Sequence, residues 1–154
     1  MNQEQAGAQV FGFFNEIGIV SQLSSALFAR LMPLGLHPSH FIVLNHLVRL
    51  SDGRTPLEIA NALQVTKSTM THTLAVLGGH GFVAIERHPT DGRSKLVRLT
   101  PEGRAFRDEA IQRMAPAMQY VLENVPLEEL QTALPVLEKI RILLDTERDN
   151  PSIT

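Results

Sequence analysis

Residues 55–105 read "TPLEIANALQVTKSTMTHTLAVLGGHGFVAIERHPTDGRSKLVRLTPEGRA", and the order of caps, turns and strands in this stretch decides the fold. Thr55-Pro56 is a cap followed by proline at the first helical position, with Glu58 three residues after Thr55, as a capping box requires. The short helix "PLEIANAL" ends at a Gln64-Val65 turn. Thr66 then caps a second helix that stops at glycines 78, 79 and 81. Ile59, Ala60, Leu63 and Val65 form the apolar side that packs the two helices together, and Ala60 is small where they approach. On the second helix Met70, Leu74 and Leu77 recur at i, i+4 and i+7 and face the core, while Lys67, Ser68, Thr71 and His72 lie opposite. Two alternating segments, about 82–87 and 95–100, predict strands joined by the turn Pro89-Thr90-Asp91-Gly92. Thr100-Pro101-Glu102-Gly103 opens the next helix by the same cap-then-proline rule.

Working outward, apolar residues at spacings of three and four predict a long, Phe-rich helix over 8–32, broken by "MPLGLHP". Ser39 reads as the N-cap of a helix over about 41–50, with Phe41, Leu44, Leu47 and Val48 inward, and "SDGRT" reads as a loop. Beyond the hairpin, one helix spans about 101–123 with a kink expected at Pro116. Another starts at Pro126 and runs to about Thr146, interrupted by Pro135. The final "ERDNPSIT" reads as a frayed tail. The expected architecture is mainly α with a small β-hairpin wing, in the order α-α-α-α-β-β-α-α. Two short helices across a tight turn, then a basic-tipped hairpin, are the parts of a winged helix-turn-helix.

Charge is distributed unevenly along the 154 residues. The chain as a whole is at −2, yet residues 66–107 hold seven basic against three acidic groups, a net of +4. Residues 108–154 hold four against nine, a net of −5. A positive middle with a negative tail points to one surface that meets an anion. The basic tip "RHPTDGRSK" belongs to that surface, as does the helix start at Lys67, whose unpaired N–H groups favour phosphate. There is no cysteine, which excludes disulfides, thiol catalysis and thiol redox sensing. No apolar run reaches the roughly 20 residues of a membrane span, and the N-terminus lacks a signal peptide's basic and apolar regions, so no membrane partner and a cytoplasmic location are expected.

The quoted stretch resembles the MarR-type (multiple antibiotic resistance) winged-helix transcription regulators. The likeness runs through short helix, recognition helix ending at leucine and glycine, strand, the Asp91-Gly92-Arg93 wing, strand and "VRLTPEG". With flanking helices of the right lengths, the resemblance extends over roughly residues 8–146. It implies that Arg93 enters the minor groove while Asp91 helps to hold the wing in shape. Many members carry arginine where this chain has His72, a difference that bears on which operator is read. The DNA contacts implied are Thr55, Lys67, Ser68, Thr69, Thr71, His72, Arg87, Asp91, Arg93, Ser94 and Lys95. The function implied is a transcriptional regulator, in the first place a repressor, on double-stranded DNA; an adaptor with a degenerate winged helix is the alternative.

The resemblance also implies a homodimer, a DNA-binding domain over 36–104 and a helical dimerisation region over 1–35 and 105–154. The sequence gives its own reason: a Phe-rich first helix and a leucine-striped last one are too apolar to stay open. Phe11, Phe14, Leu130, Leu134, Leu137 and Leu144 are the interface residues expected. A small-molecule effector is implied as well, with Phe14, Phe41 and Met114 as its walls. No cofactor is expected. The six histidines read as capping, packing and solvated groups rather than metal ligands, because His37 and His40 stand at a loop–helix junction with no acidic residue nearby in sequence. No catalytic residues are assigned: the carboxylates at 128–129 and 145–149 read as a solvated helix face, and the glycines at 78–81 sit at a helix C-terminus, whose dipole repels phosphate.

Overall fold

Helix ends set the architecture. A computed structural model describes residues 2–50, 53–92, 94–150 and 152. Its elements are α1 (Gln3–Leu31), α2 (Pro38–Arg49), α3 (Pro56–Ala62), α4 (Lys67–Gly79), β1 (Val83–Arg87), β2 (Lys95–Leu99), α5 (Pro101–Asn124) and α6 (Leu127–Asp149). Thr55 and Glu58 form the expected reciprocal capping box on α3, and Thr66 Oγ1 accepts from Thr69 N–H at the start of α4. Thr100 does more than cap α5. Its Oγ1 accepts from Gly103 N–H at 3.0 Å and donates to the Gly81 carbonyl at 2.6 Å, tying α5 to the end of α4.

Several boundaries differ from the sequence reading. Helix α1 begins at Gln3, because Asn2 and Gln5 form a capping box ahead of the Phe-rich stripe. The N-cap of α2 is His37 rather than Ser39, since Pro38 already takes the first helical position and the His37 ring accepts from Ser39 N–H. Helix α6 runs through Pro135, where an interruption is expected, and α5 carries Pro116 inside its span as the sequence reading has it. A proline deletes one backbone donor, and the hydrogen bonds on both sides still hold the helix. Helix α6 also continues to Asp149, into the segment read as a tail. The loop before α3 adds an isolated bridge to β2: Gly53 N–H donates to Val97 O at 2.9 Å, and Val97 N–H to Arg54 O at 2.8 Å.

The chain divides into two compact units, residues 1–114 and 115–154. In the first, Val43, Leu44 and Leu47 of α2, Ile59 and Ala60 of α3, and Met70, Leu74 and Leu77 of α4 bury one core with Phe82, Val83, Val97 and Phe106. Val65, expected on that apolar side, is 37% exposed because the turn carries it to the surface. Phe82 and Phe106 stack at 4.6 Å, which brings the start of α5 so close that a Cβ on Gly103 would stand 2.1 Å from the Phe82 carbonyl oxygen. His46 is buried with its Nδ1 unpartnered; burial first, then Arg49 and Arg54, hold its pKa below the ordinary histidine value. In the second unit, α6 exposes Leu127, Leu130, Leu134, Leu137, Leu143 and Leu144. Among the described residues no helix is long and apolar enough to cross a membrane.

Candidate nucleic-acid interface

Capping by Thr66 leaves the first turn of α4 projecting an exposed stripe of Lys67, Ser68, Thr71, His72 and Ala75 around a shallow, open concavity. The stripe exists because Met70, Thr73, Leu74 and Leu77 hold the opposite side in the core. Thr71 Oγ1 donates to the Lys67 carbonyl at 2.8 Å, so its hydrogen is committed and its lone pairs remain to accept from a base or its methyl to touch one. Thr69 stands away from this stripe. Its hydroxyl pairs with Thr66 Oγ1 at 2.9 Å, and it lines a small cavity of about 100 Å³ with Ser39, Ile42, Val65 and Thr73. Thr55 is spent on its capping box, which also holds the Glu58 carboxyl below the ordinary glutamate pKa through the hydrogen bonds from Thr55.

The wing is a two-stranded antiparallel ladder whose register sets Arg87 opposite Lys95. Directly paired residues share a sheet face, so two exposed cations face the same way at the open end, a placement that repels unless an anion meets it. Beyond them the loop closes on itself. His88 N–H donates to Ser94 O at 3.0 Å, Ser94 N–H to Asp91 O at 3.0 Å, and Ser94 Oγ to Asp91 Oδ2 at 2.6 Å. Asp91 and Ser94 are thus engaged with each other inside the turn. Arg93, the residue expected in the minor groove, lies outside the described residues.

Ion pairing sorts the basic block. Arg98 bridges to Glu86 at 2.8 Å, while Arg107 donates to Asn45 Oδ1 at 3.2 and 2.9 Å and pairs with Asp108. Among the described residues Lys67, Arg87 and Lys95 have no carboxylate partner. These three stand at the recognition-helix start and the wing; Arg104, in the first turn of α5, likewise has no carboxylate partner.

Residues 34–94 match the MarR family. The winged-helix segment is of the MarR type. Solved MarR-family structures extend the likeness past the matched segment. Wild-type apo MarR from E. coli is 28% identical, with a TM-score of 0.70 over 82% of this chain and 94% of that one. The transcriptional regulator BldR from Sulfolobus solfataricus is 25% identical, with a TM-score of 0.71 over 90% and 99%. A mutant E. coli MarR complexed with operator DNA is 28% identical, with a TM-score of 0.69 over 86% and 95%.

The remaining expected residues fall elsewhere on the chain. Phe11, Phe14, Leu130, Leu134, Leu137 and Leu144 are all exposed in the single chain. Of the effector walls, Phe14 is exposed, Phe41 half-buried and Met114 packed in the core at 2% exposure, and none of the three lines either concavity described above. The sequence reading missed His88, whose ring Nδ1 accepts from Thr90 and Asp91 N–H at 3.3 and 3.2 Å. A signal for it existed: His88-Pro89-Thr90 repeats the pattern of His37-Pro38-Ser39.

Proposed function

We propose that the chain is a cytoplasmic DNA-binding transcriptional repressor that grips a pseudo-palindromic operator as a homodimer and is released by a small-molecule effector, acting by binding and not by catalysis. The observation that carries the reading is the placement of Lys67, Arg87 and Lys95, cations without a carboxylate partner, at a recognition-helix start and a wing, while Arg98 and Arg107 of the same block are paired. A 28% identical MarR in complex with operator DNA supports the same mode. In this reading residues 36–104 dock on DNA. Residues 1–35 and 105–154 pair with a second copy, whose recognition helix meets the next major groove about 34–36 Å away. Lys67, Ser68, Thr71 and His72 face base edges, Arg93 enters the minor groove, and Arg87 and Lys95 meet phosphates. The sign of regulation, and an effector held near Phe14 and Phe41, are carried over from the family resemblance.

The test is affinity for a duplex selected from a random pool against random duplex, at several salt concentrations. Arg93→Ala should weaken binding by about 1–3 kcal/mol. Arg87→Ala and Lys95→Ala should each lower the salt slope by about one unit and weaken both duplexes alike. His72→Ala should change which bases are preferred. If all four bind as the wild type does, the positive surface is only solvated and the adaptor reading takes over.

A further inference from the structure

The two His-Pro-hydroxyl stretches are built alike. In each, the histidine Nδ1 takes the amide two residues on: Ser39 N–H at 3.2 Å on His37, Thr90 N–H at 3.3 Å on His88. In each, the hydroxyl of that same residue also lies on the nitrogen, at 3.0 and 3.2 Å. The intervening proline accounts for both. It sets its own φ, pushes the preceding histidine into extended backbone (φ −77°, ψ 148° at His37), and offers no amide of its own to compete. The ring then hangs over the amides that follow. At the wing it gathers one more, Asp91 N–H at 3.2 Å.

A backbone amide can only donate, so Nδ1 of His88 must be bare, and a neutral ring then carries its proton on Nε2. Asn, Asp, Ser and Thr usually fill this role in turns; here an imidazole does. The turn so fixed runs into the Ser94–Asp91 contacts that close the loop from the other side. We propose that His88 is the positioning residue of the wing: its Nδ1 fixes the Thr90–Asp91 turn that leads directly into Arg93, and so sets how the wing meets DNA. The effect on DNA rests on the wing being a DNA contact, as proposed above; the effect on the turn does not.

The experiment uses the full chain with His88→Asn, His88→Gln and His88→Ala beside Arg93→Ala. The Asn side-chain oxygen falls where Nδ1 stands, whereas that of Gln sits one carbon further out. Nitrogen NMR of the free protein should find the His88 ring protonated on Nε2 alone, and hydrogen exchange should find the Thr90 and Asp91 amides protected in the wild type and in His88→Asn. In His88→Gln and His88→Ala both amides should exchange faster, and affinity for the selected duplex should fall about tenfold, as loss of such hydrogen bonds allows, with His88→Asn near the wild type. A proton on Nδ1, or equal loss in all three His88 variants, overturns the proposal. So does unchanged affinity in His88→Ala while Arg93→Ala binds weakly. If His88→Ala and Arg93→Ala both bind as the wild type does, the DNA role of the wing falls, and the amide exchange still decides whether His88 holds the turn.

Discussion

Helices α1 and α4 are both amphipathic in sequence, yet they end in opposite conditions. Helix α4, with 13 residues, buries Met70, Thr73, Leu74 and Leu77, and its outward stripe is polar. Helix α1, with 29 residues, buries none, and leaves Phe11 73% and Leu23 68% exposed. The same contrast separates α2 and α3, which feed the core, from α6, whose leucines stand open. A winged helix of this size completes its own core, whereas the long helices carry apolar stripes that a single chain leaves uncovered. The two regions differ in what they leave at the surface: one presents polar groups, the other apolar stripes.

The largest expected effect breaks the second region. Leu137→Asp would set a carboxylate in a seam that the proposed dimer dries, at a cost of roughly 4 kcal/mol or more unless a partner is found. Sedimentation at micromolar concentration should find a dimer for the wild type and a monomer for the variant. A monomeric wild type would remove the covering role of the long helices.

The next effect breaks the first region. Gly103→Ala places a methyl 2.1 Å from the Phe82 carbonyl oxygen and 3.0 Å from Leu99 Cδ1. Neither backbone can yield without pulling α5 off the Phe82–Phe106 stack, so the loss should reach about 3 kcal/mol, the upper end for overpacking. That corresponds to roughly 6–12 °C in apparent melting temperature for a chain of this size. A shift of only one or two degrees would mean that α5 slides freely and that the core is looser than its packing implies.

How much of this was readable in the sequence follows from which interactions are local. The caps at Thr55, Thr66 and Thr100 were legible, because a hydroxyl followed three residues on by its amide partner is a short-range pattern. The His37 and His88 turns were legible only in kind: capping is among the roles read for the histidines, but imidazole is not a usual cap, so no pattern marks which of them does it. The Arg54–Val97 bridge was invisible for another reason: a single pair of residues has no periodicity. Charge counting found the positive block, but only the fold reveals that Glu86 neutralises Arg98 while Arg87 and Lys95 stand together. The outward stripe of α4, Lys67, Ser68, Thr71 and His72, is exposed as its spacing predicts, whereas Thr69, expected only as a DNA contact, pairs with the cap at Thr66 and lines a cavity with Ser39 and Ile42 of α2.

The smallest prediction compares two ends within the self-sufficient region. Helices α3 and α4 close with the same pair of bonds: Val65 N–H to Ala60 O and Gln64 N–H to Asn61 O in one, Phe82 N–H to Leu77 O and Gly81 N–H to Gly78 O in the other. This is the Schellman arrangement, which needs a left-handed residue just past the cap. In α4 that residue is Gly81 (φ +72°); in α3 it is Gln64 (φ +54°). A side chain there costs about 1 kcal/mol, which glycine relieves. Glycine in turn surrenders about 0.5–1 kcal/mol of chain entropy and the Gln64 Nε2 bond to Asn61 O at 2.8 Å. Gln64→Gly should therefore lie within about 0.5 kcal/mol of the wild type. Gln64→Val should cost about 1–3 kcal/mol, because a branched Cβ is poorly tolerated at positive φ. Denaturant unfolding of the two variants gives the comparison directly. If valine is tolerated as well as glycine, the left-handed turn is not what holds α3 against α4, and the buried Ile59 and Ala60 must do so alone.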